Sequence, residues 1–132
     1  MDKIDKKALS IHRLDTAKRN LNSSESLISI EDYQSSINRS YYAVFHSMRA
    51  VLALNGLDYK KHSTVISKFR ELYIKTSVFD EELSKIIKML FTIRGEADYE
   101  DFFVISKEET KEQLENARKF YNAIETYLKS LD

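Results

Sequence analysis

Arg39 and His46 stand seven residues apart in the run Asn38-Arg39-Ser40-Tyr41-Tyr42-Ala43-Val44-Phe45-His46. Histidine titrates near neutrality and can move a proton, while arginine keeps its charge and presents a planar fork that fits phosphate oxygens. Together they suit cleavage at a phosphodiester without a metal: the imidazole transfers the proton and the guanidinium stabilises developing charge. The same two side chains would also serve as hydrogen-bonded structural residues of a packed helix. Tyr41 and Tyr42 between them are equally at home as core or interface aromatics.

If the run is helical, seven residues turn the chain by about 700°, so the pair falls within about 20° on one face and about 10 Å apart along the axis. The apolar set Ile37, Tyr41, Val44, Met48 and Val51 lies roughly 120° to 200° round from Arg39, which points the pair away from the main core. Small residues share its side: Ser35, Ser36, Ala43, Ala50 and Ala53. Small residues there imply a close approach by another helix, a second subunit or a ligand. Because helical side chains lean toward the N-terminus, Arg39 reaches away from His46. A two-fold pair of chains would therefore make a better site than one chain alone.

The elements that must position this pair are helical. The 132 residues suit one domain, residues 1–132, with one modest core. No proline, two glycines and 42% hydrophobic residues favour an all-α fold. Apolar spacings predict helices over about Asp5–Ile30 (Ile11, Leu14, Ala17, Leu21, Ile28), with Asn20, Asn22, Ser23 and Ser24 as candidate breakpoints, and over Glu31–Asn55, ended by Asn55-Gly56. A third is expected over Ser63–Thr76 (Val65, Ile66, Phe69, Leu72, Tyr73) and a fourth over Asp80–Arg94 (Leu83, Ile86, Ile87, Leu90, Phe91). The fifth opens on the capping box Ser106-Lys-Glu-Glu109 and continues through Leu114, Ala117, Tyr121, Ile124, Leu128 and Leu131. Between the last two, Gly95–Ser106 reads as an irregular loop whose aromatics, Tyr99, Phe102 and Phe103, pack on the bundle.

Several function classes fall away. The absence of cysteine excludes disulfides and thiolate metal sites and fits a reducing, cytoplasmic setting. No run approaches the roughly 20 apolar residues of a membrane span, and the N-terminus lacks a signal-peptide core. None of His12, His46 and His62 has a glutamate three residues before it, which removes a carboxylate-bridged di-metal centre. There is no zinc-hydrolase motif, and two isolated glycines cannot cradle a phosphate, so no metal or cofactor is expected. Net charge is zero. Residues Lys60–Lys75 carry five basic side chains against Glu71, and Glu96–Glu115 carry eight acidic ones against Lys107 and Lys111. Two solvated helix faces account for both segments.

The run from Tyr33 through Asn38–His46, then Lys61-His62-Ser63, then Arg94 with Ala97-Asp98-Tyr99, and the closing helix with Ala117 and Phe120, resembles the small stand-alone proteins of the HEPN (higher eukaryotes and prokaryotes nucleotide-binding) family. The resemblance spans nearly the whole chain. It implies an up-and-down bundle of four to five helices that forms a homodimer. Many members are metal-independent endoribonucleases whose signature is arginine, four to six residues, then histidine, and Arg39 and His46 match that spacing. By this likeness His46 moves a proton at the ribose 2′-hydroxyl or the leaving oxygen, and Arg39 holds the scissile phosphate of an RNA, leaving a 2′,3′-cyclic phosphate. Ser40, Tyr42 and His62 would bind substrate or support the site. Arg94, Asp98 and Tyr99 form a structural motif, with Asp98 pairing to Arg94 and capping the loop, while Ser63 caps the third helix. Relatives of this kind often act as toxins beside a minimal nucleotidyltransferase. Here Ser40 follows the arginine where nucleolytic members usually carry asparagine, aspartate or histidine, and Ser47-Met48 stand where some members carry a tyrosine that the partner modifies. The competing expectation is a non-catalytic module that binds a nucleotide or its partner.

Overall fold

Helix α2, Tyr33–Leu54, is the element against which the others assemble in the computed structural model, which describes residues 2–132. It packs against α1 (Lys3–Ser29), α3 (His62–Phe69), α4 (Glu81–Tyr99) and α5 (Lys107–Ser130). The result is an all-α bundle of five helices with no strand among the described residues. Its core side of α2 carries the predicted Ile37, Tyr41, Val44, Met48 and Val51. All five are buried, and Tyr41, Val44, Met48 and Val51 share one core cluster with Phe69, Leu90, Phe120 and Ile124.

Each long helix starts on an oxygen that satisfies a free amide. Asp2, Asp32, Asp80 and Ser106 accept from the backbone N–H of Asp5, Ser35, Glu82 and Glu109. Helix α2 ends as the Asn55-Gly56 pair predicts: Gly56 has φ +72°, its N–H donates to Ala53, and Leu57 donates to Leu52. That double bond is the Schellman closure. The α1–α2 turn uses the same closure with Glu31 at φ 63°, so two adjacent helices are joined by only a few residues and run antiparallel.

Several sequence expectations change, but not the span of α1. It runs unbroken as expected: Asn20 Nδ2 donates to the Thr16 carbonyl and Ser24 bonds across to α2, while Asn22 and Ser23 are exposed. Its buried set is correspondingly polar, with Ser10, Arg13, Asn20 and Ser24 inside and Ile11 exposed. The third helix passes at Arg70 into a π-helical turn, Arg70–Ile74, and Ser63 is not its cap, since the helix begins at His62 after Lys61 with no side-chain cap bond. Helix α4 runs through Gly95 to Tyr99, held by the buried Ala97 and by Gln34 Nε2, which donates to the Ala97 carbonyl. The remaining loop does not pack as expected: Tyr99 is 86% exposed and Phe102 94%, and only Phe103 is half-buried. Phe91 also faces out, whereas Leu83, Ile86, Ile87 and Leu90 are buried as predicted.

Part of the small-residue set of α2 is explained by α1; Ser35 and Ala53 lie about 40° to the other side of Arg39. Ala50, Ala43, Ser36, Ser47 and Ser40 lie about 20° to 100° round from Arg39 and are fully buried. Ser24 Oγ lies 2.8 Å from both Ser36 Oγ and Ser40 Oγ. Of the three agents that could approach this side closely, it is another helix.

Candidate functional site

Arg39, Tyr42, His46 and Arg49 lie on one strip of α2 at spacings of three, four and three, an arc of about 80°. Three neighbours converge on it: Arg13 from α1, His62 at the start of α3 and Arg94 from α4. Tyr42 is the centre. Arg39 stacks over its ring at 5.2 Å, His46 lies against it at 6.0 Å and 29°, and His62 meets it edge-on at 5.8 Å. Arg94 Nη2 donates to the Tyr42 hydroxyl at 3.2 Å, with its guanidinium also 5.1 Å from the Tyr41 ring. Arg39 and His46 thus share a ring rather than a hydrogen bond, as the N-terminal lean of helical side chains requires.

The supports of this strip are specific. Arg39 Nη1 donates to Asn20 Oδ1 at 3.0 Å, an unlooked-for use of an α1 residue. His62 Nδ1 is 2.7 Å from the Tyr41 hydroxyl and its ring stacks on Phe45 at 4.1 Å. Arg13 and Arg49 both donate to one oxygen of Asp58, at 2.7 and 3.1 Å. Asp58 sits in the irregular connector between α2 and α3.

Electrostatics follow from that crowding. Burial, then the charges of Arg49, Arg13 and Arg39, push the His46 imidazole from 6.5 down to about 4. It is therefore neutral near pH 7. His62 is held below its ordinary value by burial and by Arg94 and Arg49. Burial lifts the Tyr41 hydroxyl to about 12 against the pull of Arg94. The Asp58 carboxyl is held down chiefly by its bond from Arg13. His46 Nδ1 is buried with no hydrogen-bond partner, as are Arg13 Nη1 and Arg49 Nε. That leaves His46 Nε2 as the nitrogen able to meet a ligand. No cluster of three or more His, Asp or Glu able to hold a metal occurs among the described residues.

The expected residues are thus divided. Arg39, Tyr42, His46, His62 and Arg94 come together. Ser40 does not join them: it is fully buried in the α1–α2 seam, its hydroxyl on Ser24. Asp98 pairs with Arg94 at 2.9 Å, as expected, although the N–H is not aligned for a hydrogen bond. It lies inside α4 and does not cap the loop, and Tyr99 points into solvent. Sequence reasoning missed Arg13, Asn20, Arg49 and Asp58. Arg49 was within reach, because it continues the three-four-three spacing past His46. Arg13 and Asp58 become neighbours only through the fold.

A family model described as the HEPN domain matches residues 12–127. A protein of Methanocaldococcus jannaschii named as a candidate toxin is 34% identical over 115 residues, 87% of this chain and 78% of that protein. A UPF0332 protein of Thermotoga maritima is 32% identical over 115 residues, 87% of each chain. A second candidate toxin of Methanocaldococcus jannaschii is 30% identical over 118 residues, 89% and 87% of the two chains. The chain belongs to the HEPN family.

Proposed function

We propose that this chain is a metal-independent endoribonuclease that works as a homodimer, as the toxin of a pair whose partner is a minimal nucleotidyltransferase. The observation that carries the reading is a neutral imidazole, His46, set among the guanidiniums of Arg39, Arg49 and Arg13 on a half-buried face. A neutral imidazole can act as a base at pH 7, and guanidiniums bind phosphate oxygens. Two relatives named as candidate toxins support the toxin half of the reading.

In the reaction, Arg39 draws charge from the scissile phosphate while His46 Nε2 takes the proton of the ribose 2′-hydroxyl. The 2′-oxygen attacks phosphorus, the P–O5′ bond breaks, and the departing 5′-oxygen takes a proton from water. The products are a 2′,3′-cyclic phosphate and a 5′-hydroxyl. The bare site holds His46 down first by burial and then by the repulsion of several cations. A bound phosphate offsets that repulsion, so the base strengthens when substrate arrives.

The test is cleavage of structured and single-stranded RNAs in chelator by wild type and His46→Ala, with 3′ ends analysed. Cyclic-phosphate ends made by wild type alone are expected. Equal cutting by both would assign the activity to a contaminant, and no cutting by either across a broad panel would leave a module that binds a nucleotide or its partner. No helix among the described residues is long and apolar enough to cross a membrane.

A further inference from the structure

We infer that Arg49, backed by Arg13 and clamped by Asp58, forms a second anion subsite beside His46, so that the strip grips a phosphodiester chain by two phosphates, one at Arg39 and one at Arg49. Naming the occupant as RNA rests on the ribonuclease reading above; the subsite itself rests on geometry.

Three observations carry it. First, the Arg13 side chain is only 8% exposed, yet Nη1 is buried without a partner, and Arg49 Nε is in the same state. A buried unpaired donor is costly, so an acceptor brought to this clamp would be stabilising. Second, two guanidiniums converge on one oxygen of one carboxylate, leaving an excess positive charge. Asp58 is itself 44% exposed, so the charge sits at the edge of the fold where an anion can reach the 19% of Arg49 left open. Third, direction: Arg49 is three residues past His46, and its side chain leans back toward the histidine, whereas Arg39 leans away.

The separation decides between one phosphate and two. Arg39 and Arg49 are ten residues apart, about 15 Å along the axis, with His46 between them. One phosphate cannot contact both, while neighbouring phosphates of a nucleic acid strand can. The Arg49 guanidinium lies over the Phe45 ring, its central carbon 5.7 Å from the ring centre, and donates to Asp58, which fixes its place beside His46.

The experiment uses 2′-deoxy oligonucleotides, which cannot be cut by 2′-oxygen attack. Binding of the full chain to short thymidine oligomers is followed at several salt concentrations. Each phosphate neutralised contributes a slope of about 0.7 in log K against log salt for single strands. Arg49→Gln is expected to lower the slope by about that amount, and Arg49→Lys to keep it. An unchanged slope in Arg49→Gln overturns the subsite, as does wild type that binds no oligomer at low salt. If the glutamine variant does not fold, the wild type decides: equal affinity for a one-phosphate and a two-phosphate oligomer overturns the proposal. Arg49-dependent binding without any RNA cleavage would sink the ribonuclease reading and keep the subsite.

Discussion

Two strips of α2 lie side by side, less than a third of a turn apart, and treat polar side chains in opposite ways. On the seam facing α1, Ser36, Ser40 and Ser47 are fully buried, and every hydroxyl is within 3.0 Å of a partner. On the outer strip, Arg39, Tyr42, His46 and Arg49 are half-buried, and His46 and Arg49 keep nitrogens without partners. Both strips are polar, and both interrupt an otherwise apolar helix. The seam spends its hydrogen bonds within the fold, Ser36 and Ser40 on Ser24 of α1 and Ser47 on the Ala43 carbonyl of its own helix, so nothing remains for a ligand. The outer strip is not closed off in this way: its side chains are half-buried, and His46 Nε2 remains for a ligand or a second chain.

The largest effect that tests this division is catalytic. Arg39→Ala removes a guanidinium from the outer strip and is expected to lower the cleavage rate by about 10²–10³, the range seen when one preorganised donor is lost. Its structural cost is confined to one bond to Asn20 and one stack on Tyr42. A urea midpoint close to wild type, measured on the same preparation, separates loss of chemistry from loss of fold. A midpoint that collapses with the rate would place Arg39 with the seam. Next in size is Ser40→Leu, which drives an isobutyl group between two helices packed through serines and alanines. Overpacking of this kind costs about 1–3 kcal/mol. The denaturant midpoint should fall, while the fraction that stays folded cuts RNA at the wild-type rate.

A graded effect follows from His46. In the unfolded chain its imidazole has an ordinary value near 6.5, and in the folded chain it is pushed down to about 4. Between those values the unfolded chain binds a proton that the folded chain refuses, so acid favours unfolding. The stability contribution is complete above about 6.5 and is lost as pH falls toward 4. Denaturation midpoints at pH 7.5 and 5 should differ in that direction, and His46→Gln should reduce the difference. A midpoint that rises on acidification would mean that His46 has an anionic neighbour.

The legibility of the two strips in the sequence was uneven for a physical reason. Periodicity reports burial of apolar faces, and it placed five helices and the apolar side of α2 correctly, because those residues repeat at helical spacing. It does not report which neighbour covers a small residue, so the seam and the outer strip read as one surface. The Asn20–Ser24 stretch of α1 looked like a break because serine and asparagine compete for backbone bonds. Asn20 and Ser24 are instead engaged with the Thr16 carbonyl, Arg39 and the serines of α2. Arg13 and Asp58 are 45 residues apart and meet only after α1 has docked on α2. Ile105 and Phe103 aside, the aromatic loop misled for the converse reason. Apolar residues predict burial only where an element is present to cover them, and α4, running on to Tyr99, carries that loop outward.

The smallest effect is the sharpest test, because it concerns the residue directly after the arginine. If Ser40 contributed to chemistry as a polar neighbour of Arg39, Ser40→Ala would slow cleavage and Ser40→Asn would hasten it. Its hydroxyl bonds only Ser24, with the side chain fully buried. Removing it deletes one buried hydrogen bond, about 1 kcal/mol, and Ser24 keeps its bonds to Ser36, so no hydroxyl is stranded. Ser40→Ala should therefore shift the denaturation midpoint slightly and leave the single-turnover cleavage rate at the wild-type value. Ser40→Asn should gain no rate and lose stability, since the larger amide must fit a seam built for serine. A faster Ser40→Asn enzyme would mean that position 40 faces substrate in the active assembly, and that the division between the two strips of α2 does not hold there.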